Sequence, residues 1–104
     1  MTGIKVHDLV KEPYRVTFRV HALRQMFMRK IKDTDISELL QNGTIIEEYG
    51  DDTPYPSYLV AGTGSNRPLH AVIAYDKEDG VIIVITSYEP DRDRWDEKFT
   101  RRKS

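Results

Sequence analysis

The chain contains no cysteine, which excludes disulfide staples and thiolate metal sites alike. It has little net charge: 16 Lys and Arg stand against 17 Asp and Glu. A broad basic surface for nucleic acid is therefore not expected, although a local cationic cleft is compatible with that balance. No apolar run approaches the roughly 18 residues that span a bilayer. Residues 1–12 carry charge throughout and lack the apolar segment of a secretion signal. A soluble, cytoplasmic protein with no membrane contact is expected. The histidines His7, His21 and His70 are scattered, with no His pair at i, i+4 and no His-Glu-x-x-His pattern, so no metal site is expected. Gly-x-Gly-x-x-Gly, Walker-type and Gly-x-Ser-x-Gly patterns are also missing, which disfavours nucleotide-cofactor enzymes and serine hydrolases. No cofactor is expected.

What remains is a chain of 104 residues, the length of one small domain. Its core falls within about 14–100, preceded by a lead-in (1–13) that holds a short helix or turn and followed by a flexible tail (101–104). Residues 14–20 alternate, with Val16, Phe18 and Val20 on one side, and read as a half-buried strand. A helix follows from His21. Asp33, Asp35 and Ser37 then offer capping oxygens to a second helix with Ile36, Leu39 and Leu40 on its apolar face, stopped by Asn42-Gly43. The second half reads as strands at 44–49, 58–61, 69–75 and 81–88, separated by turn chemistry at 51–56, 62–66 and 76–80. The run 81–85 is apolar on both faces and is placed inside the sheet. Around Trp95 and Phe99 a short segment returns to the body. The expected architecture is α+β: two N-terminal helices packed on an antiparallel sheet of about four strands.

Within residues 21–31 two stripes repeat at i, i+4, i+8. Leu23, Phe27 and Ile31 form one, assigned to packing. His21, Gln25 and Arg29 form the other, roughly 160° away on the wheel, and present an imidazole and a guanidinium at fixed spacing.

The pattern His21-Ala-Leu-x-x-Met-x-x-Arg29-x-Ile31 resembles the hallmark of a bacterial family, the domain of unknown function numbered forty-two fifty-eight. Asp51-Asp52 with Tyr55-Pro56-Ser57, then Arg67-Pro68-Leu69-His70, then Thr86-x-Tyr88-x-Pro90-Asp91 with Trp95 continue the resemblance in order over about 15–100. The family usually has Arg where this chain has Gln25, and often Gly where it has Lys30. The resemblance implies a ribonuclease-like fold of the RelE/barnase/colicin group, in which N-terminal helices pack on an antiparallel sheet. It further implies a toxin-type, metal-independent endoribonuclease with RNA as substrate and an antitoxin protein as partner, or a non-catalytic binding module of the same fold.

Metal-free RNA cleavage needs a base for the 2′-hydroxyl, cations for the pentavalent phosphorane and an acid for the leaving 5′-oxygen. His21 suits proton transfer because histidine titrates near neutrality; it also reads as a helix-start residue bonded to a nearby carbonyl. Arg29 suits the phosphorane through its planar fork, or pairs with Glu47 or Glu48 on the surface. Gln25 bridges the two, and Arg24 supplies charge from the flank. His70 lies in an otherwise apolar strand, as a core or rim histidine or as an RNA contact. Thr86 and Tyr88 share a face at the end of the last strand, where Tyr88 reads as an acid, a stacking platform or a tyrosine packed on the helical layer. His21, Arg29 and Tyr88 are thus the expected catalytic residues, and Arg24, Gln25, His70 and Thr86 the expected RNA contacts. Arg92 and Arg94 beside Trp95 read as a solvated mixed-charge loop.

Overall fold

The strand that precedes the long helix decides the topology. In the computed structural model, which describes residues 2–103, β1 (Arg15–Phe18) runs directly into a helix, so no hairpin folds it back onto a sequence neighbour. The elements in order are α1 (Val6–Leu9), β1, α2 (Val20–Arg29), α3 (Asp33–Asn42), β2 (Thr44–Tyr49), β3 (Ser57–Gly64), β4 (Arg67–Asp76) and β5 (Val81–Tyr88). Met1 of the expected lead-in and Ser104 of the expected tail lie outside the described residues.

The four later strands form an antiparallel meander, and β1 joins its far edge beside β5, giving the order β1-β5-β4-β3-β2. The β1–β5 pair is parallel, with Arg15 opposite Val81 and Phe18 opposite Val84. The fold is therefore α+β, with three helices and a five-stranded mixed sheet rather than two helices on a four-stranded antiparallel one. β1 leads into α2 instead of a hairpin and pairs with β5, more than sixty residues later, so no tight turn obliges the pair to be antiparallel. The interior place expected for 81–85 is observed, since β5 lies between β1 and β4. Two strand ends differ most: β1 stops at Phe18 rather than 20, because Val20 already opens α2, and β3 runs past 61. Residues Ser65 and Asn66 both adopt positive φ (51° and 63°), the geometry of a tight hairpin turn, so β3 continues to Gly64 instead of stopping at 61.

The core lies between the helices and one sheet face. Ile36, Leu39 and Leu40 of α3 pack with Ile45, Val60, Leu69, Ala71, Ile73, Ile82 and Val84. α3 begins with Asp35 accepting the Lys32 backbone N–H at 2.9 Å, as a first-turn carboxylate should. It ends at Gly43, where a Cβ would lie 2.5 Å from the Leu39 carbonyl oxygen and 2.4 Å from Val60 Cγ1.

α2 departs from its expected orientation. Leu23 and Phe27, assigned to packing, are 48% and 86% exposed, while Ala22 and Met26 are buried. The cause is where the helix lies. β1 pairs with β5 only as far as Val84, and α2 follows the remaining outer edge of β5. Arg19 N–H donates to the Val84 carbonyl at 3.0 Å, and Arg29 Nη1 donates to the Ser87 carbonyl at 2.7 Å. A helix covering a strand edge presents polar side chains to backbone groups that no strand satisfies. Ile31 is buried because Lys30, at φ 57°, turns the chain off the wheel before it. Arg67 caps the freed carbonyl of Lys30 at 2.5 Å.

Two stability outcomes follow from these backbone positions. Gly43→Ala is expected to destabilise by about 1–3 kcal/mol, because both atoms the new Cβ meets are fixed in the core. Lys30→Gly is expected to stabilise by about 0.5–1 kcal/mol, since it relieves a left-handed non-glycine residue. Urea denaturation of both variants checks the two signs together.

Candidate active site on the open sheet face

Cross-strand partners share a face of the sheet, so the pairing register identifies what the helix-free side carries. One row across the sheet is Thr44, Ala61, His70 and Tyr88, and the next is Glu47, Leu59, Val72 and Thr86. Tyr49, Ser57, Ala74 and Ile83 follow. Two irregularities make this possible. The register shifts between Ile45 and Glu47 on β2, and again on β5, where Thr86 pairs Val72 while Val84 pairs Ile73. Each inserted residue inverts the alternation beyond it. Without them Glu47, Thr86 and Tyr88 would point with Ile45, Ile82 and Val84 into the helical layer.

His70 is fully buried on this side. Its Nε2 lies 2.7 Å from the Phe99 carbonyl oxygen, which can only accept. The proton is therefore on Nε2, and Nδ1 accepts the Tyr88 hydroxyl at 3.2 Å. The Trp95 ring meets His70 edge-on, with centroids 4.5 Å apart. Burial pushes the imidazole below its ordinary value, against a smaller upward pull from the Phe99 carbonyl.

Beside this pair, Arg102 grips Glu47 through two bonds, Nε to Oε2 at 2.9 Å and Nη2 to Oε1 at 3.1 Å. The Tyr49 hydroxyl donates to the same carboxylate. Arg102 holds the Glu47 carboxyl below the usual range, aided by Tyr49. Burial and the bond to Glu47 push the Tyr49 phenol up to about 12. Burial also raises Tyr88, which lies in the electrostatic field of Arg102, Glu47 and Arg29. The Arg102 guanidinium stacks on Trp95, 4.7 Å from the ring centroid. Arg102 thus has defined partners, although the sequence reading placed it in a flexible tail.

The expected site residues separate into two groups. Gln25, Arg29, His70, Thr86 and Tyr88 come together: Thr86 Oγ1 donates to Gln25 Oε1, and Arg29 binds the carbonyl of the residue before Tyr88. His21 is exposed in the first turn of α2. Arg24 is exposed on the other side of the helix, beside Val20, Leu23, Phe27 and Met28. Glu47, Tyr49 and Arg102 were not foreseen as site residues. Plain alternation along β2 would send Glu47 to the helical side, and nothing local announces the bulge. Among the described residues no group of three or more His, Asp or Glu is placed to hold a metal ion, and no helix is long and apolar enough to cross a membrane.

The sequence profile of the family described as Domain of unknown function (DUF4258) matches residues 18–89. The chain belongs to that family. No curated protein and no solved structure matches it. The DUF4258 span runs from the last residue of β1 to the residue after β5. It therefore contains Glu47, His70, Thr86 and Tyr88. Trp95, Phe99 and Arg102, which cover and bind them, come from beyond the DUF4258 match.

A pH dependence follows from His70. Burial lowers its folded value, so on acidification the unfolded chain takes up this proton first, beginning near the ordinary 6.5. Where the unfolded state binds more protons, stability falls as pH falls. Glu47, held low, adds a loss in the same direction only below its ordinary 4.5. The melting temperature should therefore drop between about pH 7 and 5, and His70→Gln, whose amide can still donate to Phe99, should flatten that part of the profile.

Proposed function

We propose that the domain is a small, metal-independent endoribonuclease of toxin type, with its site on the open sheet face around Tyr88. The observation that carries this reading is the company Tyr88 keeps. Its phenol is hydrogen-bonded to His70 and stands in the field of one carboxylate, Glu47, and two guanidiniums, Arg29 and Arg102. These are the group types that cleavage by 2′-hydroxyl attack requires.

In this proposal Glu47, kept ionised by Arg102, takes the 2′-hydroxyl proton as that oxygen attacks phosphorus. Arg102 and Arg29 face the phosphorane, which carries one more negative charge than the diester and whose paired oxygens a guanidinium fork can bind. Tyr88, kept protonated by its burial, gives its proton to the leaving 5′-oxygen after its hydroxyl rotates away from His70. His70 holds the phenol ring and carries no substrate contact of its own. Gln25 fixes Thr86 at the rim; Arg24, on the other side of α2, and His21, exposed in its first turn, take no part in the chemistry. The layer order, with helices on one face and the polar cluster on the other, also supports the likeness to RelE- and barnase-type nucleases. An antitoxin protein remains part of this proposal through that likeness alone.

A second reading, RNA or protein binding without cleavage, is favoured by one observation. Both His70 ring nitrogens and both Glu47 oxygens are already engaged internally. The two readings part in one assay. Purified protein in a chelator should cut single-stranded RNA to fragments ending in 2′,3′-cyclic phosphate. Tyr88→Phe and Glu47→Gln should each slow this by about 100-fold or more, within the usual worth of one proton-transfer group. RNA retained but uncut would establish the binding module. Cleavage unaffected by both substitutions would remove the site from this face.

A further inference from the structure

We propose that the outward face of α2 is a docking surface for an acidic amphipathic helix of a partner protein. Val20, Leu23, Phe27 and Met28 are 65%, 48%, 86% and 80% exposed. They lie within three helical turns and line one shallow depression together with Arg24. Four large apolar side chains side by side on a helix leave an unfavourable water contact that a partner would remove. Their spacing, i, i+3, i+7 and i+8, is the face that helix-on-helix contacts use. Met28 and Phe27 add adaptable and aromatic contact area.

Charge specifies the occupant. Residues 13–32 contain Arg15, Arg19, Arg24, Arg29, Lys30 and Lys32 and not one Asp or Glu, in a chain whose net charge is −1. Arg24 lines the apolar patch, and Arg19 and Lys30 are exposed at the two caps of its helix. An apolar stripe with a cation within it and one at each cap of its helix complements a stripe rimmed by carboxylates. A second copy of this chain does not fit, because α2 against α2 would stack the same cations on each other. RNA gains nothing from Val20, Leu23 and Met28. The patch is also independent of the sheet-face site, since Gln25 and Arg29 on the opposite side of α2 are tied to β5.

The test uses the full chain, isotope-labelled, and two synthetic helical peptides of about 18 residues with the same Leu/Phe stripe, one flanked by Glu and one by Lys. The Glu peptide should shift amide resonances of residues 19–30 and bind at least about tenfold more tightly than the Lys peptide. Leu23→Ser and Phe27→Ser should each weaken it by about tenfold or more without altering the circular dichroism spectrum, because both side chains stand in solvent. Equal binding of the two peptides, no binding of the Glu peptide, or an affinity indifferent to Phe27→Ser would overturn the proposal. So would phosphatidylserine vesicles or an RNA oligonucleotide competing for Phe27 when the Glu peptide does not.

Discussion

Everything on the open face depends on two single-residue insertions in the sheet. In a regular strand the side-chain period is two, so a residue's face follows from counting. The register shift after Ile45 moves Glu47 off the helical side, and the shift near Ile85 does the same for Thr86 and Tyr88. Because the two shifts lie on strands separated by β3 and β4, both must be present for the carboxylate and the phenol to meet His70 on one surface. The apolar residues just before the two bulges, Ile45 and Val84, remain in the core. The sheet thus keeps its packing while redirecting its chemistry. That is the common use of bulges beside functional sites.

The second constraint is the short β1. Four residues of pairing leave the outer side of the end of β5 without a strand neighbour, and α2 supplies the missing partners through side chains. Arg29 is then both an edge clamp, donating to the Ser87 carbonyl, and a cation near Tyr88. A residue with a structural bond and a field effect at the same place explains why the helix carries a fixed polar stripe at all. It also explains why the helix needs so few buried apolar residues: Ala22 and Met26 suffice when backbone groups take part in the seal.

The elements were legible in the sequence to within a few residues, because apolar periodicity and turn residues are local signals. β2 and β5 fall where alternation and the Gly80 turn place them, and α3 ends at its Gly43. Three things were not legible. The parallel pairing of β1 is a long-range choice that no local pattern states. The buried side of α2 was misread because a wheel assumes that an apolar stripe faces the core, whereas here the neighbour is a strand edge that wants donors and acceptors. The third is the bulges, which leave the composition of a strand unchanged while exchanging its faces. Hence His70 and Tyr88 were visible as candidates, and Glu47 and Arg102 emerged only from the pairing register and from the fold-back of the chain end.

That fold-back separates two kinds of boundary. The stretch matched by the family ends at residue 89, yet the carbonyl that takes the His70 proton, the indole over its ring and the cation opposite Glu47 all lie after it. A fragment trimmed to the matched stretch would keep β2 to β5, but it would lose all of β1 except Phe18 and the guanidinium opposite Glu47. It would leave a half-sheltered carboxylate with no counter-ion and an imidazole N–H with no acceptor. The unit that evolution reuses and the unit that physics can close are, in this chain, of different lengths.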